Sequence, residues 1–152
     1  MRSSNHILTF HFDYYIIRLG ERKESMRITM MNDDKLRSMM RYFDENLKDC
    51  RAQEEALRAA QRGDEAIFAR IRGNVFDIFK TVLGVARDRE QDEDALKRFF
   101  FGRLESIPRG WEQALQQAEA HADAQRAHIE HIKLQAVRDI RAQAEELWGA
   151  KA

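Results

Sequence analysis

The sequence predicts an all-α protein, an elongated bundle of about four helices with heptad-like apolar stripes. Three observations predict it. The 152 residues include only one proline and seven glycines, against many Ala, Leu, Glu, Gln, Arg and Lys, the composition of a helical chain. Apolar residues recur in steps of three and four, the period of one helix face. The hydrophobic share, 43%, is enough for the core of one ordinary domain.

The first helix is expected to start at Asn32, a capping side chain followed by Asp33 and Asp34 in the positive first turn. Its stripe is Leu36, Met40, Phe43, Leu47, Cys50 and Leu57, broken at Glu54. Gly63 is expected to supply the left-handed residue of a tight hairpin, with Asp64 capping the next helix. The second helix, about 65 to 87, is the most apolar segment and carries more apolar surface than one stripe needs. Gly73 and Gly84 within it predict close approach of a neighbour. After a charged connection with Asp92 as a cap, the third helix, about 93 to 105, places Phe99, Phe100 and Phe101 around most of its circumference. Pro108 then opens a fourth helix reaching Trp148, about 60 Å long, with Gly149 as its stop. Ile140, Leu147 and Trp148 on that overhang, together with Phe100, are the expected interface residues for a second chain.

Residues 7–17 are the one β-prone stretch, rich in aromatic and branched side chains. They are too few to span a membrane, contain His11 and Asp13, and lack a small-residue cleavage site. The codons behind Gly20 to Met26 can be almost wholly purine, like a bacterial ribosome-binding site before a start codon. Residues 1–25 therefore read as a mis-annotated or disordered extension, and 26–152 as a single helical domain. The alternative is an N-terminal strand that pairs with another chain.

Charge is balanced, 26 basic against 26 acidic residues, so no net field favours nucleic acid or an anionic membrane. A lone Cys50 can form no internal disulfide and points to a reducing, cytoplasmic setting. No cofactor motif is present: there is no glycine-rich phosphate loop and no nucleophile elbow. Glu90, Glu93 and Asp94 have the acidic spacing of all-α nucleotide pyrophosphatases, but no partner acidic helix accompanies them.

The chemistry-bearing residues gather at 121–131. His128 and His131 share a helix face and are the candidate metal ligands, although a full site needs three or four. None of the histidines has the Glu-x-x-His spacing of di-iron bundles. Arg126-Ala-His-Ile-Glu-His131 resembles, over six residues, the Arg-x4-His pattern of HEPN-type ribonucleases. That resemblance implies His131 as general acid or base and Arg126 as the stabiliser of phosphorane charge. Ala127 departs from the polar residue usual after the arginine.

These readings order three functions. The first is a non-enzymatic protein–protein interaction module, with a protein partner or a second copy. A HEPN-like ribonuclease using Arg126 and His131 is the second, and a metal-binding bundle using His128 and His131 the third.

Overall fold

The computed structural model describes the backbone of residues 5–90 and 92–149, and the side chains of 17–27, 33–90 and 92–149. The protein is all-helical, with no strand among the described residues. Five helices follow one another: α1 (Asn5–Ala59), α2 (Gly63–Arg89), α3 (Glu93–Ser106), α4 (Arg109–Ala120) and α5 (Ala124–Trp148). No helix among the described residues is long and apolar enough to cross a membrane. The chain divides into two units, Met1–Leu36 and Arg37–Ala152.

In the first unit, residues 5–36 are the leading part of α1. The β-prone stretch 7–17 is helical. A strand needs a partner strand for its backbone groups, whereas a helix satisfies them within its own turns. Every described side chain from 17 to 27 is exposed, Ile17, Leu19 and Met26 among them. Of the segment read as an extension, residues 1–4 lie outside the described residues and 5–25 belong to α1. The helix start expected at Asn32 is not formed, because α1 runs through it without a break; neither proline nor glycine stands there to stop the helix.

The second unit holds the core. Met39 and Phe43 of α1, Val75, Phe76, Phe79 and Leu83 of α2, Phe100 and Leu104 of α3 and Ile140 of α5 are buried. Phe100 is the hub of their aromatic contacts, edge-on to Phe43 at 6.4 Å, Phe79 at 6.5 Å and Trp148 at 6.2 Å. Such edge-to-face pairs suit the ring quadrupole. Of the three consecutive phenylalanines, Phe100 and Phe101 enter the core, while half-buried Phe99 lies under the Arg103 guanidinium at 5.2 Å. Gly73 is buried where α2 meets α1: a Cβ there would stand 3.3 Å from that of Cys50. Close helix approach explains this glycine.

The expected turn between the first two helices comes out differently. Between α1 and α2 the left-handed residue is Gln61 (φ 59°), and Gly63 opens α2. Arg62 N–H donates to Leu57 at 2.9 Å and Gln61 N–H to Arg58 at 3.0 Å, the paired bonds of a Schellman stop. Asp64 lies in the first turn of α2 without capping it.

The single fourth helix is two helices. Ala122 takes a left-handed φ of 53°, with Asp123 N–H donating to Ala118 at 2.8 Å and Ala122 N–H to Glu119 at 3.1 Å. This is the same stop, built on alanine. The Asp123 carboxylate then accepts from Arg126 N–H at 3.1 Å and caps α5. The helix therefore folds back, α5 packs against α4 and α2, and neither the 60 Å helix nor its overhang is formed. Asp92 and Gly149 do act as expected, one capping α3 through Ala95 N–H at 2.7 Å and the other ending α5 at φ 83°.

Candidate interaction surface

The fold-back decides where the expected site residues go. Phe100, Ile140 and Trp148 are buried among the chain's own helices and Leu147 is half-buried. All four have internal partners: the overhang that was to expose Ile140, Leu147 and Trp148 is gone, and Phe100, expected outside because three successive phenylalanines surround α3, is covered by Phe43, Phe79 and Trp148. Lys97 reinforces the arrangement by donating from Nζ to the Trp148 carbonyl at 2.9 Å. A lysine there also meets the negative end of α5.

Arg126, His128 and His131 are all exposed, and each faces something different. Arg126 stands in the first turn of α5. His128 sits edge-on to Phe68 of α2, with ring centroids 4.6 Å apart. His131 points its Nε2 toward Glu119 Oε1 of α4 at 3.7 Å. Arg126 and His131, five positions apart, are separated by about 140° around the helix. No group of three His, Cys, Asp or Glu side chains among the described residues could hold a metal ion. Asp92 of the acidic run is spent on its cap, and Gln91 lies outside the described residues.

Sequence reasoning missed a polar cluster that joins α1, α2 and α5. Arg72 Nη2 donates to Asp139 Oδ2 at 3.0 Å, and its guanidinium lies 5.0 Å from the Phe76 ring centroid. Asp139 also accepts from Gln135 at 3.0 Å, and Gln135 accepts in turn from Arg138 at 2.8 Å. Burial pushes the Tyr42 phenol up, and the Asp139 carboxylate adds to that while Arg72 opposes it. Burial likewise raises the Cys50 thiol, again opposed by Arg72. Cys50, Arg72, Asp139, Gln135 and Arg138 are hydrogen-bonded one to the next, which makes the cluster a fastener between helices. Its signal is weak in sequence because Arg72 and Asp139 lie far apart along the chain.

Next to Cys50, the groove between α1 and α2 is mixed in charge. Its two adjoining hollows, about 180 and 380 Å³, share Leu47, Arg51 and Asp77. Arg70 donates from both Nε (2.9 Å) and Nη2 (2.6 Å) to Glu54 Oε1, and Lys80 Nζ lies 2.6 Å from Asp44. Hydrogen bonding from Arg70, then from Arg58, holds the Glu54 carboxyl below the usual carboxylate range. With acid and base alternating in this way, the groove selects no single sign of ligand.

What remains is the outer face of α2. Ile67, Ile78 and Val85 are exposed, at 46%, 39% and 38%, and half-buried Ile71 and Val82 lie on the same side. Ile67, Ile71, Asn74, Ile78, Thr81 and Val85 follow one another in alternating steps of four and three. That spacing makes a seam along a helix. Comparison with known proteins adds no relative to this geometry: no protein family, no curated protein and no solved structure matches the chain significantly.

Proposed function

We propose that this protein is a helical protein–protein interaction module, without catalytic chemistry of its own, that binds through the outer face of α2. The observation carrying this is the exposed seam of Ile67, Ile78 and Val85. Isolated surface leucines and isoleucines are ordinary, but a row at heptad-like spacing is an apolar surface ready for a second helix. Helix 2 is apolar on its inner side as well, so its outer isoleucines are not needed to hold the fold. The lone Cys50 fits a reducing, cytoplasmic setting.

The ribonuclease and metal readings have less support. His131 is turned to Glu119 and His128 to Phe68, so neither pair of candidate residues is gathered around a common point.

A photo-crosslinking residue at Thr81, on the seam, tests the proposal in living cells beside a control at Ser106 on α3. A discrete cross-linked species is expected from position 81, absent from 106 and lost when Ile78→Glu is added. The absence of any such species at 81, or its survival in the Ile78→Glu chain, overturns the reading.

A further inference from the structure

We infer that the partner of this surface is a second copy of the chain, with the two α2 helices packed antiparallel about a two-fold axis between Arg72 and Gly73. The inference rests on the reading of the outer face as an interaction surface and names its occupant.

The argument starts from the seam. In heptad terms Ile71, Ile78 and Val85 take one core position, all β-branched, and Ile67, Asn74 and Thr81 take the other. Antiparallel helices match the first kind with the second. In the register centred between residues 72 and 73, Ile78 meets the partner's Ile67 and Ile71 meets the partner's Asn74, each contact occurring twice by symmetry. The two Asn74 amides then stand about 4.5 Å apart along the axis, close enough to reach each other. A polar residue in such a seam fixes register.

Charge chooses the direction. Arg70 and Asp77 flank the seam on the same side, seven residues apart. The antiparallel register sets Arg70 against the partner's Asp77 at both ends, giving two opposite-charge pairs. A parallel pairing in heptad register sets Arg70 against the partner's Val75 and Asp77 against the partner's Val82, with no such pair. The side chains are suited to the role. Arg70 spends Nε and Nη2 on Glu54, leaving Nη1 for a second carboxylate. Asp77 is exposed and has no ion pair within its own chain among the described residues.

Exchanging the charges tests both partner and direction. By sedimentation equilibrium the native chain is expected to be a dimer, and Ile78→Glu to raise its dissociation constant at least about a hundredfold. The substitution is on the surface, so helicity by circular dichroism should be retained. Arg70→Glu and Asp77→Arg, each alone, place like charges at both flanks and weaken the dimer about tenfold. An equimolar mixture of these two variants should form a heterodimer as tight as the native dimer, because each then meets its opposite. The doubly exchanged chain should likewise recover.

A monomeric native chain at high micromolar concentration overturns this inference, while the cross-linking species at position 81, of a mass other than twice the chain, leaves the broader reading standing. A dimer that resists Ile78→Glu but is broken by Ile17→Glu also overturns it, since the contact then lies in the first unit. Failure of the mixed variants to pair overturns the antiparallel register.

Discussion

The two faces of α2 both carry apolar side chains and have opposite surroundings. On the inner face Phe76, Phe79 and Leu83 are buried against α1, α3 and α5, and Gly73 lets α1 approach. On the outer face Ile67, Ile78 and Val85 remain exposed. A helix that is apolar all round is suited to a place where every side is covered. The difference teaches that composition gives a helix its appetite for cover, and that the placement of its neighbours decides which side is satisfied within the chain.

The largest effect separates the faces directly. Phe76→Ala should lower the free energy of unfolding by roughly 3–5 kcal/mol, since it removes a buried ring and leaves a cavity that neighbouring helices only partly fill. Ile78→Ala, two positions away, should change it by about 0.5 kcal/mol or less when measured at a concentration where the chain is monomeric. Urea denaturation of both variants checks this. Similar losses at the two positions would erase the distinction between inner and outer faces.

A second measurement sharpens the inner side, where α1, α2 and α5 share the cluster around Arg72. Burial raises both the Cys50 thiol and the Tyr42 phenol above their ordinary values of 9.0 and 10.0. As the pH climbs through that range, the unfolded chain loses these two protons before the folded one does. It then binds fewer protons than the native state, so stability must fall with rising pH. Tyr42→Phe and Cys50→Ala should each flatten that decline, while Ile78→Ala on the outer face should leave its slope unchanged. Urea midpoints collected from below pH 9.0 to above pH 10.0 report the slopes.

How much of this was legible in the sequence differs from residue to residue. The all-α class and the strongly apolar second helix follow from composition and period, which are local properties. Asp92 and Gly149 were legible because a side-chain cap and a glycine stop act within one turn. The break at Ala122 was not, since alanine is the best helix former and gives no warning of a left-handed residue. Missing that break moved Ile140 and Trp148 from the core to an imagined overhang. The site was less legible still. The surplus of apolar surface on the second helix could be seen in sequence, but which side of it stays exposed depends on where α1, α3 and α5 lie.

The smallest effect tests the event that leaves the outer face open, the fold-back at Ala122, which sends α5 toward Phe68 and Arg72 on the other flank of α2. A Cβ at φ 53° is unfavourable, by roughly 1–2 kcal/mol, whereas glycine adopts that conformation freely but gives the unfolded chain about 0.4–1 kcal/mol of extra entropy. Ala122→Gly should therefore stabilise the protein, by about 0.8 kcal/mol in the middle of those ranges and about 1.6 kcal/mol at most. Ala114→Gly makes the same chemical change eight residues earlier, in the interior of α4, and should cost about 1 kcal/mol through lost helix propensity. Opposite shifts of the urea midpoint at equal slope are the expected result. If both substitutions destabilise alike, residues 109–148 are one continuous helix, α5 no longer covers its side of α2, and the contrast between the two faces loses its cause.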